Sequence, residues 1–134
     1  MFSDLETAIR NHLADVIPGV PVRGTWDYAD MSAEDAPRLA MAVEYRGFDA
    51  LENKPGAVTL AQQFGVHLYV DAGKVRGTER AQAEGALVTI IERLLDWPDT
   101  LLRAAIQSSP VVQMAGTTLQ MSIFFTLAPV VITP

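Results

Sequence analysis

In two stretches of the chain, large apolar residues alternate with smaller or more polar ones along most of the length. In the first, Arg38–Arg46, every second residue from Leu39 is large and apolar, and in the second, Thr59–Asp71, the same holds from Phe64 to Val70. A period of two places successive side chains on opposite faces of a strand. Because a short connection separates the stretches, the sequence predicts a long antiparallel hairpin with one face in the core.

The connection between these strands, Gly47–Gly56, contains two glycines, a proline and several polar residues. Its charged residues are Asp49, Glu52 and Lys54. Such a composition is typical of a segment that protrudes from a sheet. We therefore expect this connection to reach beyond the body of the protein.

Two further segments repeat apolar residues at the spacing of one helical face. The first helix is predicted over Asp4–Ile17, with Ser3 and Glu6 at the spacing of a capping box. The second is predicted over Glu79–Trp97, with Thr78 as its N-cap. The apolar positions that carry these patterns are Leu5, Ile9, Leu13, Val16 and Ile17 in the first helix and Ala83, Leu87, Ile91, Leu94 and Leu95 in the second.

The rest of the chain adds shorter elements. They are a strand over Val20–Trp26, an acidic loop over Asp27–Pro37, a turn over Gly73–Gly77, a short helical piece over Asp99–Ile106 and a second hairpin of strands Val111–Met114 and Leu119–Leu127. Successive strands joined by short links favour antiparallel pairing. The sequence therefore predicts one α+β domain over residues 1–134, in which two main helices pack on one face of a mainly antiparallel sheet.

Composition and charge argue against several functional classes. Apolar residues make up 49% of the chain and charged residues 19%, so a folded core is expected and extensive disorder is not. The net charge is −6 and the basic residues form no cluster, which argues against sequence-specific binding of nucleic acid. Because the chain contains 0 cysteines, disulfides, thiolate catalysis and cysteine-ligated zinc are excluded.

The sequence has neither the pattern of a signal peptide nor that of a membrane span. The N-terminus lacks a basic start followed by an apolar run. The longest apolar stretch, Met121–Ile132, is interrupted by Ser122, Thr126 and Pro129 and is too short to cross a bilayer. We expect synthesis in the cytoplasm without export, and no membrane partner.

Two groups of residues have the types that bind ligands, but their spacing favours plainer roles. The segment Asp71–Thr78 joins a strand to a helix, as a phosphate-binding loop does, yet Lys74 precedes the second glycine instead of following it. An ordinary turn is therefore favoured. The acidic residues of the predicted loop lack the alternate acids and central glycine of a calcium loop, which favours a solvated loop. They are Asp27, Asp30, Glu34 and Asp35.

The residue types used in catalysis have no local partners. His12 lies on a helix flank and His67 on the less apolar face of a strand, and neither has an adjacent residue that would make it a base or a metal ligand. Ser108–Pro110 is typical of a turn and lacks the frame of a nucleophile elbow. The sequence therefore predicts no catalytic residue, no cofactor and no metal. A serine, a histidine and an acidic residue remain free to meet in the folded chain.

The face of the sheet that points away from the predicted helices is poor in charge. Its predicted members include Ala40, Ala42, Gln63, Gly65, Tyr69, Gln120, Ser122, Phe124 and Thr126. A freely solvated antiparallel face normally carries more lysine and glutamate. Two interpretations remain open at this point: contact with another subunit, and cover by a second layer of the same chain.

Taken together, the elements resemble the minor tail proteins of Mu-like prophages and the wider group of tail-terminator proteins of long-tailed phages. The resemblance lies in the opening helix Leu5–Arg10 with its exit Ile17–Val20, the strands Arg38–Val43 and Gln63–Val70, the helix Ala86–Leu95 and the closing hairpin. It covers nearly the whole chain as an arrangement of elements and contains no sharp motif. The family transfers no catalytic residue.

The resemblance implies a virion subunit that forms a closed ring, usually a hexamer, on the head-proximal end of the tail tube. The expected partners are copies of the same chain, the tail tube protein and a head–tail connector protein. Contacts around such a ring are head-to-tail and need two different patches on each subunit. The predicted interface residues are Asp49, Glu52 and Lys54 in the connection and Tyr69, Ser122, Phe124 and Thr126 on the low-charge face.

Three other interpretations are compatible with the sequence. The first is a different head–tail connector, such as a stopper or head-completion subunit. The second is a small α+β ligand-binding domain or enzyme that uses the sheet as the floor of a pocket. The third is a monomeric domain without a role in assembly.

Overall fold

The computed structural model describes residues 2–25, 39–71, 73, 77–96, 105–106, 111–115 and 118–133. In chain order, the elements in these ranges are α1 (Phe2–His12), β1 (Val22–Arg23), β2 (Leu39–Lys54), β3 (Ala57–Asp71), α2 (Gly77–Leu95), β4 (Ala105–Ile106), β5 (Val111–Ala115), β6 (Thr118–Thr126) and β7 (Val130–Ile132). The fold class is α+β, which confirms the prediction.

The described strands form one sheet in the order β1–β2–β3–β6–β4, with β5 also pairing with β6 and β7 also pairing with β3. Among them, β1 and β2 pair in parallel and the other pairs are antiparallel. β3 lies at the centre. One of its edges pairs with β2, and the other pairs with β7 at Val58–Leu60 and with β6 at Gln63–Asp71.

Both helices pack on the same face of this sheet. Val43, Val66 and Ile123 lie side by side on β2, β3 and β6 and are at most 1% exposed. Phe64 stacks on Phe125 with ring centroids 6.1 Å apart. The helical side of this core consists of Ile9, Leu13, Ile17, Ala83, Ala86, Ile90 and Leu94. Each large side chain buried in this way stabilises the fold by about 1.5–3 kcal/mol.

α1 is shorter at its C-terminal end than predicted, and the capping box is wrong. Ser3 lies inside the helix, which ends at His12 instead of Ile17. Asp15 then adopts a left-handed φ of 65°, a conformation that terminates helices. Leu13 and Ile17 are still buried in the core, because the turn that follows the helix directs them there. The apolar spacing therefore continues beyond the helix itself.

The contacts between α1 and β1 explain why Glu6 does not act in a capping box. The Glu6 carboxylate accepts a hydrogen bond from the backbone N–H of Thr25. Nearby, Arg10 Nε donates to the carbonyl oxygen of Val22 at 2.9 Å. Gly24 permits this close approach, since a Cβ atom at that position would lie 2.7 Å from Glu6 Oε1.

α2 nearly coincides with the predicted helix, but its boundaries and its buried face differ. It begins at Gly77, so Thr78 lies inside the helix and is not the N-cap. Leu95, predicted to be in the core, is 67% exposed because it is rotated by about 100° from the buried Leu94. Neither helix in the described ranges combines the length and apolar character needed to cross a membrane.

Three shorter elements also differ from the prediction. β1 occupies Val22–Arg23 at the sheet edge, within the longer predicted strand Val20–Trp26. The helical piece predicted over Asp99–Ile106 is wrong at its end, where Ala105–Ile106 pair with β6 as strand β4. β7 was not predicted. The structure does not describe residues 26–38, 97–104 and 107–110, so the predicted acidic loop lies outside the described residues.

The β2–β3 hairpin is longer than predicted. β2 continues to Lys54, so the predicted connection Gly47–Gly56 is mostly paired strand, and the turn is reduced to Pro55–Gly56. Register shifts between Tyr45 and Phe48 and between Ala50 and Glu52 accommodate extra residues on β2. We refer to residues 48–60 together with β7 as the arm.

Candidate functional site

The predicted interface residues fall in two separate places. Those on β2 in the arm, Asp49, Glu52 and Lys54, are exposed. Those on the sheet face opposite the helices, here called the second face, are Tyr69, Ser122, Phe124 and Thr126. In the arm, Lys54 Nζ lies 2.9 Å from Glu52 Oε1. Contact of either group with another subunit remains a prediction.

The second face is more buried than a solvated sheet face. Ala40, Ala42, His67 and Ser122 are at most 3% exposed, and Tyr69, Phe124 and Thr126 are half-buried. Since the hydroxyl of Ser122 is enclosed within the protomer, a neighbouring subunit would meet the half-buried side chains around it. Ser122 is therefore a poor position at which to test the predicted interface.

A hydrogen-bonded cluster centred on His67 lies on the second face and joins three strands. The imidazole Nε2 is 2.9 Å from Oε1 of Glu44 on β2. On the other side of the ring, Nδ1 is 2.7 Å from Oγ of Ser122 and 3.1 Å from Nε2 of Gln120, both on β6. The sheet register produces this arrangement, because His67 lies directly between Ala42 and Ser122 on the neighbouring strands.

The hydrogen bonds fit a neutral imidazole with its proton on Nε2. An ionised carboxylate only accepts hydrogen bonds, so the His67 Nε2–H donates to Glu44. Nδ1 then accepts from the Ser122 hydroxyl, the nearer donor, and the Gln120 amide shares the same lone pair at a longer distance. Burial lowers the pKa of His67 below its ordinary value of 6.5, and Arg46 acts in the same direction, while Glu44 opposes the shift through its hydrogen bond and its charge.

Arg46 and Phe124 border this cluster. Arg46 Nη1 is 3.2 Å from Glu44 Oε1, and its Cζ lies 4.1 Å from the centroid of the Phe124 ring. The His67 ring meets Phe124 at 74°, with centroids 5.9 Å apart. Gly65 leaves room for the aromatic ring, because a Cβ there would lie 3.1 Å from Phe124 Cδ1. The cluster is therefore closed by a cation–π contact beside a glycine.

Glu44, His67 and Ser122 are the residue types of a hydrolytic triad, whose meeting in the folded chain the sequence does not exclude. In a serine hydrolase the hydroxyl must reach the substrate carbonyl beside donors for the oxyanion. Ser122 is 3% exposed and lies on a paired strand, so its hydroxyl has no access to a substrate. This geometry fits the linking of β2, β3 and β6 better than acyl transfer.

His12 also has a partner that the sequence did not reveal. Its Nε2 lies 2.5 Å from the carbonyl oxygen of Arg93 on α2. In return, Arg93 Nη1 donates to the carbonyl oxygens of His12 at 3.2 Å and of Ala14 at 2.7 Å. Carbonyl groups at a helix C-terminus lack partners within the helix. Arg93 therefore satisfies the end of α1 and ties it to α2.

The described residues do not form the phosphate-binding or metal-binding arrangements considered for the sequence. At the turn after β3, Asp71 Oδ1 accepts a hydrogen bond of 3.0 Å from the backbone N–H of Gly73, which places an acidic group where a phosphate loop would bind its anion. Lys74 and the acidic loop lie outside the described residues. In the described ranges, no three His, Cys, Asp or Glu residues are grouped to hold a metal ion.

A shallow groove of about 550 Å³ runs between α1 and the segment that leads to β1. Its lining includes Thr7, Arg10, Asn11 and Asp15. Arg10 already uses its Nε to bind the Val22 carbonyl oxygen and so forms part of the wall. Its described lining includes no residue of the second face or of the arm.

Comparison with known proteins gives a likeness of fold. A chain in the solved structure of the virion of the native gene transfer agent (GTA) particle superposes with a TM-score of 0.54 and 14% sequence identity. The match covers 93% of this chain and 93% of that chain. No protein-family model and no curated protein matches the sequence. At this level of identity, the comparison shows a common fold that extends over nearly the whole of both chains.

Proposed function

We propose that this chain is a structural protein of a phage-type virion, and more specifically a tail terminator. In this role it forms a ring at the head-proximal end of the tail tube, ends tube polymerisation and prepares the tail for joining to the head. The observation that carries the proposal is the fold shared with a chain of the gene transfer agent virion over 93% of both chains. The resemblance of the sequence elements to tail terminators supports the narrower role.

The described residues are suited to binding other protein subunits. The most elaborate polar cluster, around His67, is buried and serves to join strands. The arm, in contrast, carries exposed charged side chains and exposed apolar side chains. A protein that acts by binding copies of itself and a tube needs such surfaces and needs no reactive group.

The charge of the chain also fits a ring through which DNA passes. The net charge is −6, and Lys and Arg are scattered along the sequence. Affinity for nucleic acid comes largely from basic side chains that neutralise phosphates. An acidic subunit would let DNA slide through the lumen without holding it. The proposed partners are copies of the same chain, in a hexamer, the tail tube protein and a head–tail connector protein.

Deletion of the gene for this protein, followed by electron microscopy of the particles that form without it, tests this function. A tail terminator predicts tubes of uncontrolled length and filled heads without tails, with normal tails restored by the wild-type chain. A stopper or head-completion subunit predicts tails of normal length beside heads that lose their DNA. Normal, infectious or transducing particles in the absence of the protein would refute a role in virion assembly.

A further inference from the structure

The arm carries large apolar side chains that the described residues of the protomer leave exposed. Among the described residues, five large apolar side chains are more than half exposed, and three of them are in the arm. These are Phe48 and Leu51, each 57% exposed, and Val131, 65% exposed. A narrow ribbon of strands without a packed layer is only marginally stable in water. Cover by another chain would remove this apolar surface from solvent.

The arm also has two strand edges without a described partner. In this region β3 pairs with β2 on one side and with β7 on the other. In the described ranges, β1 pairs with β2 at Met41 and Ala42, away from the arm. Within the part of the chain that the structure describes, the outer edges of β2 and β7 therefore present backbone N–H and C=O groups that can accept a further strand.

The charges of the two edges decide which of them pair well. The β2 edge carries Asp49 and Glu52 against the single base Lys54, whereas β7, Val130–Ile132, has no charged residue. Two β2 edges brought together would place two strands of net negative charge side by side, since each has two acids and one base, which is unfavourable. Pairing β7 with the β2 edge avoids this repulsion and adds β-branched side chains beside Phe48 and Leu51.

We propose that β7 of one copy pairs with the outer edge of β2 in the arm of the next copy. This inference rests on the proposed ring and names the surface that joins its subunits. β2 and β7 are both antiparallel to β3 and hence parallel to each other. A rotation about an axis along the strands therefore pairs β7 with the neighbouring β2 in parallel. The two edges differ, so the contact is head-to-tail and can close into a ring.

Cysteine cross-linking tests the proposal cleanly, because the chain has 0 native cysteines. Val131→Cys is combined, in separate double variants, with Phe48→Cys, Ala50→Cys, Leu51→Cys or Glu52→Cys and oxidised after assembly. Within one copy, β2 and β7 are separated by β3, which puts them roughly 9.6 Å apart. This exceeds the limit of about 7 Å between Cα atoms for a disulfide. A bond between these positions therefore reports on two different copies.

The expected result is a ladder of covalent oligomers, ending at the ring size, in at least one double variant and in none of the single variants. Val88→Cys with Val131→Cys is the matched control, since Val88 is also 57% exposed but lies on α2, and it should give no ladder. Dimers from a single β2 cysteine would indicate pairing of two β2 edges and overturn the proposal.

Electron microscopy of the same samples separates this inference from the proposed function. Rings without a ladder in any double variant would overturn the β2–β7 contact and leave the function standing. Absence of rings, both alone and on tail tubes, would refute the function and the contact together. As a second measurement, Val131→Lys should raise the concentration for half-assembly at least roughly tenfold, whereas Val88→Lys should not, because a charge at a pairing edge opposes strand addition.

Discussion

The imidazole Nε2 of His67 lies 2.9 Å from Oε1 of Glu44 on the neighbouring strand. The His67 side chain is 2% exposed, while that of Glu44 is 22% exposed and keeps contact with water. The carboxylate favours a charged imidazole. Burial nevertheless lowers the pKa of His67, because the buried ring, once protonated, would lack the water that solvates its charge in the unfolded chain. The pair therefore consists of a neutral histidine beside an anion that faces the surface.

Folding stability is expected to fall as the pH is lowered from 6.5 towards the pKa of His67 in the folded chain. In the unfolded chain His67 has its ordinary pKa of 6.5, and in the folded chain its pKa is lower. Below pH 6.5 the unfolded state therefore binds more protons, which favours unfolding. The stability that neutral His67 contributes is fully present above pH 6.5 and is lost as the pH falls through the pKa of His67 in the folded chain. Urea unfolding between pH 7.5 and about 5.5 would measure it.

The matched variant is His67→Gln, which keeps an amide donor for Glu44 but does not titrate. It should lower the free energy of unfolding at neutral pH, since the imidazole packs against Phe124. Its stability should nevertheless change less between neutral pH and pH 5.5 than that of the wild type. Equal pH dependence in the two proteins would show that His67 does not carry the effect.

Two glycines should respond in opposite directions to a larger side chain. At Gly65 a Cβ would lie 3.1 Å from Phe124 and 3.2 Å from His67 Nε2, so Gly65→Val should cost about 1–3 kcal/mol of unfolding free energy. At Gly85, exposed on α2, a Cβ meets nothing within 4 Å, and Gly85→Ala should stabilise by about 0.5–1 kcal/mol. Thermal unfolding of both variants checks the contrast, and a stabilising Gly65→Val would contradict the packing.

Removal of the Arg93 guanidinium should loosen α1. Arg93→Met keeps the aliphatic chain but leaves the carbonyl oxygens of His12 and Ala14 without their donor. Hydrogen bonds to charged groups contribute about 1.5–3 kcal/mol, and partial exposure of Arg93 favours the lower end. Glu92→Gln, at the exposed neighbouring position, is the control and should change stability by less than about 0.5 kcal/mol. Similar unfolding free energies for the two variants would contradict this role of Arg93.

Shortening the arm should separate folding from assembly. Residues 51–54 and 57–59 can be removed from the two strands together, so that Ala50 and Leu60, which are paired, stay joined through Pro55–Gly56. The core should remain, because its strand members begin at Phe64 on β3. We expect a folded protein that no longer ends tail tubes, measured by circular dichroism and by tube length. Tubes of normal length with this variant would exclude the arm from function.

The strands of the core were predictable because every second side chain faces the helices and is large and apolar. Phe64, Val66 and Leu68 on β3 alternate with Gly65 and His67, and the structure buries all three apolar side chains. On β6, Ile123 and Phe125 are buried too, although Phe124 interrupts the alternation. Period two is a direct consequence of the strand backbone, so the pattern can be seen without knowing the partner strand. The α+β class follows from combining these strands with two helical patterns.

The His67 cluster was not predictable, because its members meet through register. His67 and Ser122 are 55 residues apart, and the sequence does not state which residue of β6 faces which residue of β3. A shift of one residue would move Ser122 to the other face. β7 and the end of α1 were missed for local reasons: β7 has three residues, and turn residues after His12 continue the helical spacing.

Electron microscopy of the purified protein, alone and mixed with tail tubes of its own particle, tests the central claim most directly. A tail terminator predicts closed rings of uniform size, seated on one end of each tube, and tubes that stop growing once capped. A protein that stays monomeric at every concentration and leaves both tube ends bare would contradict the account.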